Sequence, residues 1–493
     1  MESTQQINNE AKVNTSNPLL TDFYQFTMAY GYFKLKMHEK RAAFHLIFRN
    51  HPFRSNYAVA CGLQSVVEYL QNWRFDHTAI DYLSSLKTPN NQPIFSPDFL
   101  EYLANLRFTC DLYAVPEGNV VFANTPLLRI EGPLLQCQLL ESPLLTILNF
   151  QTLIATKASR VVRSAMGDPV IEFGMRRAQG LDGALSASRA AYIGGCIATS
   201  NTLAGQLFNI PVKGTHAHAW VTAFRSEEEA FSAYADVLPD NGVFLVDTYD
   251  TIEGVKHAIA IGRVLRQKGS DLLGIRLDSG DLAKLSLAAR QLLDSAGFEK
   301  TYILASNSLD EYVIESLKAQ KAAITHWGVG TNLSTAFDQP ALDGVYKLSA
   351  LQNEANDWEY KLKISDSPIK VSNPGRHQIR RFFTNNQWAG DVIYDLTLGI
   401  NDNPESWSLS NPSHPLFYQD IDGYTDLLQP IFKEGKLIMV SESIHQIRQR
   451  ALDETNLFWQ QYSNNTLYPV SLEKKLYQLK QTLVQLHQPT KRN

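Results

Sequence analysis

Residues 241–311 read NGVFLVDTYDTIEGVKHAIAIGRVLRQKGSDLLGIRLDSGDLAKLSLAARQLLDSAGFEKTYILASNSLDE, and their rhythm decides the fold. Short β-rich runs start at Val243, Leu272 and Thr301, 29 residues apart. Between them lie amphipathic stretches, Ile252 to Gln267 and Leu282 to Ser295, stopped by Gly269 and Gly297. Glycine stops a helix because it reaches the left-handed conformation that satisfies the last carbonyls. Strand, helix and strand at this spacing predict βα units on a parallel sheet.

The same pattern extends both ways. Pro169–Phe173 and Ile210–Lys213 precede these runs, and Ile324–Val329 and Gly344–Leu348 follow them. Ser226-Glu-Glu-Glu229 reads as a capping box that opens another helix. Units in this number fit an irregular parallel α/β, TIM-like barrel better than an open sheet. No G-x-G-x-x-G follows a strand, which argues against a dinucleotide-binding fold. Around this barrel (151–350) the reading places a flexible tail at 1–17, an N-terminal α+β domain at 18–150 and a C-terminal extension at 351–493. In the extension, Lys361 to Arg381 carries Lys361, Lys363, Lys370, Arg376, Arg380 and Arg381 against Asp366 alone. Such a run is by default a solvated face. Leu476, Leu479, Leu483 and Leu486 mark a helix that packs on its neighbours.

The chain has 493 residues, 45 basic and 50 acidic, for a formal charge of −5. With 44% hydrophobic and 19% charged residues it has a globular composition, neither disordered nor collagen-like. Near neutrality it has no global field to attract nucleic acid or anionic lipid, so an anionic substrate must be caught by local cations. Cys61, Cys110, Cys137 and Cys196 are scattered, without C-x-x-C, and read as buried thiols in a reducing cytosol. The first residues form no signal peptide. Ala190 to Phe208, broken by Ser200, Asn201 and Thr202, falls short of the ~20 apolar residues of a membrane span. A soluble cytoplasmic protein is expected.

Six of the runs end in polar or glycine-containing sequence, at Glu172–Arg177, Gly214–His218, Asp247–Thr251, Arg276–Asp281, Ser306–Asp310 and Gly328–Asn332. In a parallel barrel all strand C-termini open on one face, so these segments converge on one pocket. Gly328, Gly330 and Thr331 suit a phosphate, since small residues bare the backbone N–H groups; an ordinary Gly-Thr turn is the alternative. Arg176, Arg177 and Arg276 supply fixed cations. Asp247, Asp250, Asp278 and Asp281 hold Mg²⁺ beside phosphates or cap helices; Asp278 suits the site, and Asp281 suits either role.

His216 and His218 carry three readings: hydrogen-bonded structural histidines, a metal dyad, or a phosphoryl acceptor. On a strand, H-x-H places both rings on one side. A metal-dependent hydrolase needs further ligands, and only His326 lies near a later strand, with His257 mid-helix. A non-enzymatic barrel that only senses an anionic ligand fits the anion-binding rim equally but leaves the histidine beside it unexplained.

Assembled in order, LLTDFYQFTMAYGYF (Leu19–Phe33), EFGMRRAQG, GTHAHAW, RLDSGDL, ASNSLDE, GVGTNL, GVYKL and KISDSPIKVSNPG (Lys363–Gly375) resemble the motifs of the nicotinate phosphoribosyltransferase family. The resemblance covers about residues 18 to 485. It implies an N-terminal α/β domain, an irregular barrel and a C-terminal extension. It also implies ATP-driven joining of nicotinate to 5-phosphoribosyl 1-diphosphate, with Mg²⁺, no tightly bound organic cofactor, and a homodimer. By the same resemblance His218 is the phosphorylated histidine, with His216 at the variable position. Tyr24 stacks on the nicotinate ring, Thr215 and Arg276 take its carboxylate, and Arg176 clamps an anion. Thr331, Gly330 and Gly328 meet the phosphoribosyl group. Asp278 can face the cationic sugar of an oxocarbenium-like transition state. Nicotinamide- and quinolinate-specific relatives are the rivals within the fold, and the Mg²⁺ ligands are left open.

Overall fold

The computed structural model describes residues 16–365, 371–410, 413, 415–418, 420–462 and 467–487. Most of the expected tail, and Asp366 and Lys370 of the basic segment, lie outside the described residues.

The βα rhythm produces one parallel sheet. Its strands are Val170–Glu172, Ala198–Thr199, Val243–Leu245, Gly274–Leu277, Tyr302–Ala305 and His326–Val329. Starting from Ala198–Thr199 the spatial order runs through Val170–Glu172, His326–Val329, Tyr302–Ala305 and Gly274–Leu277 to Val243–Leu245. Every pairing is parallel. Helices Gly180–Ile193, Thr251–Gln267, Leu282–Ser295 and Glu311–Ala319 connect or flank the strands. The strands are nearly continuously buried, as covering on both faces requires. Gly269 and Gly297 sit at positive φ just past their helices, as the sequence predicts.

The expected closed barrel is not formed by this ladder. The expected strand Ile210–Lys213 is reduced to one bridge, Thr199 to Val212, and no described ladder carries it on to Val243–Leu245. Pro211 and Lys213 turn their backbone toward Thr199, and Gly214 follows closely, so Val212 between them faces outward and finds no described ladder partner there. A side chain fills in instead: His216 Nε2 accepts the Leu245 N–H at 3.3 Å.

Gly344–Leu348, expected as a further barrel strand, belongs elsewhere. Gly344–Gln352 runs antiparallel to Arg41–Phe48, with Phe48 opposite Gly344 and Phe44 opposite Leu348. Its burial is intermittent, with half-buried Lys347 on one face, the pattern of an antiparallel rather than a parallel strand. The seven-stranded antiparallel sheet it joins also holds Pro126–Pro133, Asp111–Ala114, Trp358–Tyr360, Gln429–Lys433 and Lys436–Leu437. A six-stranded sheet forms from His377–Thr384, Gln387–Asp395, Glu405–Ser408, Pro415–Phe417, Gly423–Asp426 and Val470–Glu473.

Polar pairs stitch these layers together. Arg189 of the Gly180–Ile193 helix meets Glu117 with two N···O distances of 2.7 Å, and Glu117 also accepts the Gly62 N–H at 2.6 Å. The arginines of the basic segment turn inward rather than forming a solvated face. Arg376 pairs with Glu131 at 2.9 Å, Arg380 with Asp426 at 2.8 Å and Arg381 with Asp391 at 2.8 Å. Ser226 caps Glu227–Val237 through the Glu229 N–H, but the Glu229 carboxylate reaches the Arg225 N–H, so the box is only half made. In the closing helix Leu476 is buried while Leu486 is exposed, so that stripe packs at its start. All four cysteines are free and buried. Among the described residues no helix is long and apolar enough to cross a membrane.

Candidate active site

At the C-terminal end of Gly274–Leu277 each of the three guanidinium nitrogens of half-buried Arg276 makes one contact. Its Nε donates to Ser306 Oγ at 2.8 Å, its Nη2 to Asp278 Oδ1 at 3.0 Å, and its Nη1 reaches Thr215 Oγ1 at 3.4 Å. The Phe173 ring lies 5.6 Å from the guanidinium carbon. Ser306 Oγ also donates to Asp278 Oδ1. The rim therefore offers a positive edge, a hydroxyl and an aromatic face together.

Beside it stands His218, the first residue of the short helix His218–Thr222, with its side chain 45% exposed. Its Nδ1 lies 3.1 Å from Thr248 Oγ1. Its Nε2 faces Asp278 Oδ2 at 3.9 Å and Asp247 Oδ1 at 4.0 Å. Asp247 is otherwise used structurally, its Oδ2 accepting the Asp278 N–H at 3.0 Å and Ser279 Oγ at 2.5 Å. Its Oδ1 is buried and, among the described residues, has no hydrogen-bond partner.

His216 takes the structural role. The two rings do not share a side, because Thr215 and His216 lie in a loop and strand alternation does not govern them. The His216 ring packs against Phe231, Tyr234 and Phe244. Burial pushes its pKa down to about 4, with the Arg276 and His218 charges adding to the effect. It is a neutral acceptor for Leu245 N–H.

The alternative of a metal dyad fails on the same geometry. His257 pairs with Glu227 at 2.9 Å, and His326 stacks on Tyr302 at the N-terminal end of its strand, away from the rim. Among the described residues no group of three His, Cys, Asp or Glu side chains is arranged to hold a metal. Two of the four candidate aspartates are caps. Asp250 accepts the Glu253 N–H at 2.9 Å and Asp281 the Lys284 N–H at 3.1 Å. That bond holds the Asp281 carboxyl below its ordinary range. Only Asp247 and Asp278 remain at the rim.

The glycine segment is mixed. A side chain at Gly328 would strike the Phe173 ring at 2.6 Å, so this glycine makes room for that ring rather than baring an amide. Gly330 and Thr331 are half-buried and open the short helix Thr331–Ser334. Asn332 Nδ2 ties this segment to Ser308 O at 3.1 Å. Arg176 and Arg177 are exposed and, among the described residues, have no ion-pair partner. Tyr24 is not brought to the rim: it is 48% exposed on the helix Phe23–Lys34, and its described neighbours are Asp22, Gln25, Glu141 and Ser142. Sequence reading had missed Phe173, Thr248 and the function of Ser306; their position at strand ends was the available signal.

Residues 169–387 match the model of the nicotinate phosphoribosyltransferase family, with its N-terminal domain matched at 19–149 and its C-terminal domain at 376–480. The nicotinate phosphoribosyltransferase of Bacillus subtilis is 44% identical over 467 residues, covering 92% of this chain and 93% of the relative. The chain belongs to the nicotinate phosphoribosyltransferase family. The enzyme of that name in Caenorhabditis elegans is 35% identical, covering 94% of this chain and 93% of its own. The crystal structure of human nicotinic acid phosphoribosyltransferase superposes with a TM-score of 0.83 at 28% identity, covering 94% of this chain and 99% of that one. Family membership turns the arginine, hydroxyl and aromatic face at the rim into a candidate site for an aromatic carboxylate.

Proposed function

We propose that this protein joins nicotinate to 5-phosphoribosyl 1-diphosphate, forming nicotinate mononucleotide and diphosphate, the entry of nicotinate into NAD biosynthesis. The observation that carries the reading is the juxtaposition of Arg276, Thr215 and Phe173 with His218 between two carboxylates. The nicotinate carboxylate meets the Nη1 edge of Arg276 and the Thr215 hydroxyl, and its ring lies along Phe173. Held there, the pyridine nitrogen donates its lone pair to the anomeric carbon while the bond to the diphosphate oxygen breaks and its electron pair leaves with diphosphate. The transition state is cationic on the sugar, so carboxylate charge from Asp278 stabilises it and no strong general acid is needed. Arg176, with the amides opening at Gly330 and Thr331, suits the phosphate oxygens.

Asp247 Oδ1 and Asp278 Oδ2 are hard oxygen donors, the first buried with no hydrogen-bond partner among the described residues, and they fit Mg²⁺ arriving with the diphosphate. Bound there, Mg²⁺ would neutralise charge on the departing diphosphate.

ATP use enters through His218. The charge of two carboxylates 3.9 and 4.0 Å from Nε2 favours the proton on that nitrogen, which leaves the lone pair on Nδ1, beside Thr248. Nδ1 is then the atom that accepts a phosphoryl group from ATP as ADP departs, and later hydrolysis releases phosphate. Exposed Leu20, Phe23, Tyr24 and Met28 form an apolar patch on and before the first helix, which supports a homodimer in which Tyr24 serves the rim of a second copy. Four thiols in no disulfide suit the cytoplasm.

Mass spectrometry of products tests the reading, with 5-phosphoribosyl 1-diphosphate, Mg²⁺ and nicotinate, nicotinamide or quinolinate, with and without ATP. Nicotinate mononucleotide, stimulated by ATP in the wild type and not in His218→Ala, is expected. Preferential turnover of another base overturns the substrate; stimulation that survives in His218→Ala overturns the phosphoacceptor.

A further inference from the structure

We infer that Ser306 is a positioning residue that keeps the substrate-facing edge of Arg276 open by preventing Asp278 from closing on it. The inference rests on Arg276 being the carboxylate site. Arg276 and Asp278 are two residues apart at the end of one strand, so their side chains leave on the same side. An arginine and a carboxylate so placed favour a two-pronged fork through Nε and Nη2. That fork would cancel the cation the substrate needs.

Ser306 occupies the place of the second prong. It follows the neighbouring strand Tyr302–Ala305, in which Ala305 pairs with Leu277, and its own N–H bonds Leu277 O at 2.9 Å. Its side chain is therefore carried to the level of Asp278. Arg276 Nε has one hydrogen, and it goes to Ser306 Oγ at 2.8 Å. The single hydroxyl hydrogen must then point away from Nε, and it goes to Asp278 Oδ1. Asp278 is thus held to one prong, Nη2 at 3.0 Å, with its other oxygen directed to His218. The contact of Nη1 with Thr215 is long, 3.4 Å, and so is the one an incoming carboxylate most readily replaces. Ser306 is 3% exposed, which keeps water from taking over its task.

The prediction concerns one substrate and not the other. In Ser306→Ala, Asp278 rotates onto Nε and Nη2 together, and the KM for nicotinate rises about tenfold, the size of one hydrogen bond to a charged group. The KM for 5-phosphoribosyl 1-diphosphate stays within about threefold, since Arg176 and the amides at Gly330 and Thr331 still suit its phosphates, whereas kcat falls as well, because the rotated Asp278 turns away from the cationic sugar. Ser306→Cys keeps the volume but accepts weakly and behaves as the alanine variant; Ser306→Thr restores the hydroxyl and most of the affinity. Steady-state rates with each substrate varied, paired with calorimetric titration of nicotinate, read this out. An active wild type with unchanged nicotinate KM and affinity in the alanine and cysteine variants overturns the role of Ser306. Equal rises in both KM values, or a loss confined to kcat, overturn it too. A wild type that neither binds nor turns over nicotinate overturns the carboxylate site itself.

Discussion

Replacing Arg276 by lysine keeps the charge and removes the fork. The guanidinium reaches Ser306 at 2.8 Å, Asp278 at 3.0 Å and Thr215 at 3.4 Å from three different nitrogens. An ammonium on a flexible stem is a point charge; it can sit by Asp278 or by the substrate but cannot span all three. The variant therefore loses the oriented contact to the nicotinate carboxylate while Ser306 loses its donor. At about 1.5 kcal/mol for each of one to two charged hydrogen bonds, the loss is roughly 1.5–3 kcal/mol, or about 10- to 150-fold in kcat/KM for nicotinate. Because this contact exists in the ground state as well as the transition state, most of the fall lies in KM. Initial rates at saturating 5-phosphoribosyl 1-diphosphate give both constants. Inhibition by nicotinamide, which carries no charge to pair, stays nearly constant. A fall below about threefold in kcat/KM, or an equal weakening of nicotinamide, would refute the placement of the carboxylate at Arg276.

Two further predictions concern the scaffold. Glu117→Gln leaves Arg189 buried without its counter-charge and lowers stability by about 3–5 kcal/mol, whereas the double change to Glu117→Leu with Arg189→Met recovers much of it; denaturant midpoints decide, and equal midpoints for wild type and Glu117→Gln refute the pair's importance. Burial also pushes His51, His216 and His377 down to about 4. The unfolded chain then binds more protons than the folded one below the ordinary histidine value, so stability is full above about pH 6.5 and falls as pH drops toward 4. Thermal melts across this window should show the fall, with a shallower slope in His51→Gln; identical slopes exclude His51 as a contributor.

The helices Thr251–Gln267 and Leu282–Ser295 were legible because their limits are local, a cap at one end and a glycine at positive φ at the other. What escaped sequence reading depends on partners far along the chain. Gly344–Leu348 looks like a parallel strand until Arg41–Phe48 pairs with it, and Ile210–Lys213 looks like a strand but makes only the one bridge to Thr199. His216 and His218 are identical letters two places apart, told apart only by the aromatic cluster that buries the first. The glycines at 328 and 330 read alike, yet one makes room for Phe173 and the other stays half-open.

The site itself, however, obeys a rule already present in the 29-residue rhythm of the strand starts. His218 and Thr248 are 30 positions apart, Asp247 and Asp278 are 31, Arg276 and Ser306 are 30, and Asp278 and Ser306 are 28. The last three pairs join equivalent places in two successive βα units, because a parallel ladder sets neighbouring strand ends side by side and one repeat of chain separates them, while His218 and Thr248 keep the same spacing across the seam that no described ladder closes. The period thus predicts contacts as well as the fold: a polar residue at one strand end finds its partner about one repeat away. This makes the rim a chain of couplings, from Thr248 through His218 to Asp278, Ser306 and Arg276. The proposed phosphoryl acceptor and the proposed carboxylate site are linked most directly by Asp278, whose two oxygens face one each. A charge placed on His218 acts on nicotinate binding through that carboxylate, and its sign requires that added negative charge drive Asp278 toward Arg276, against which Ser306 is the only opposing contact described.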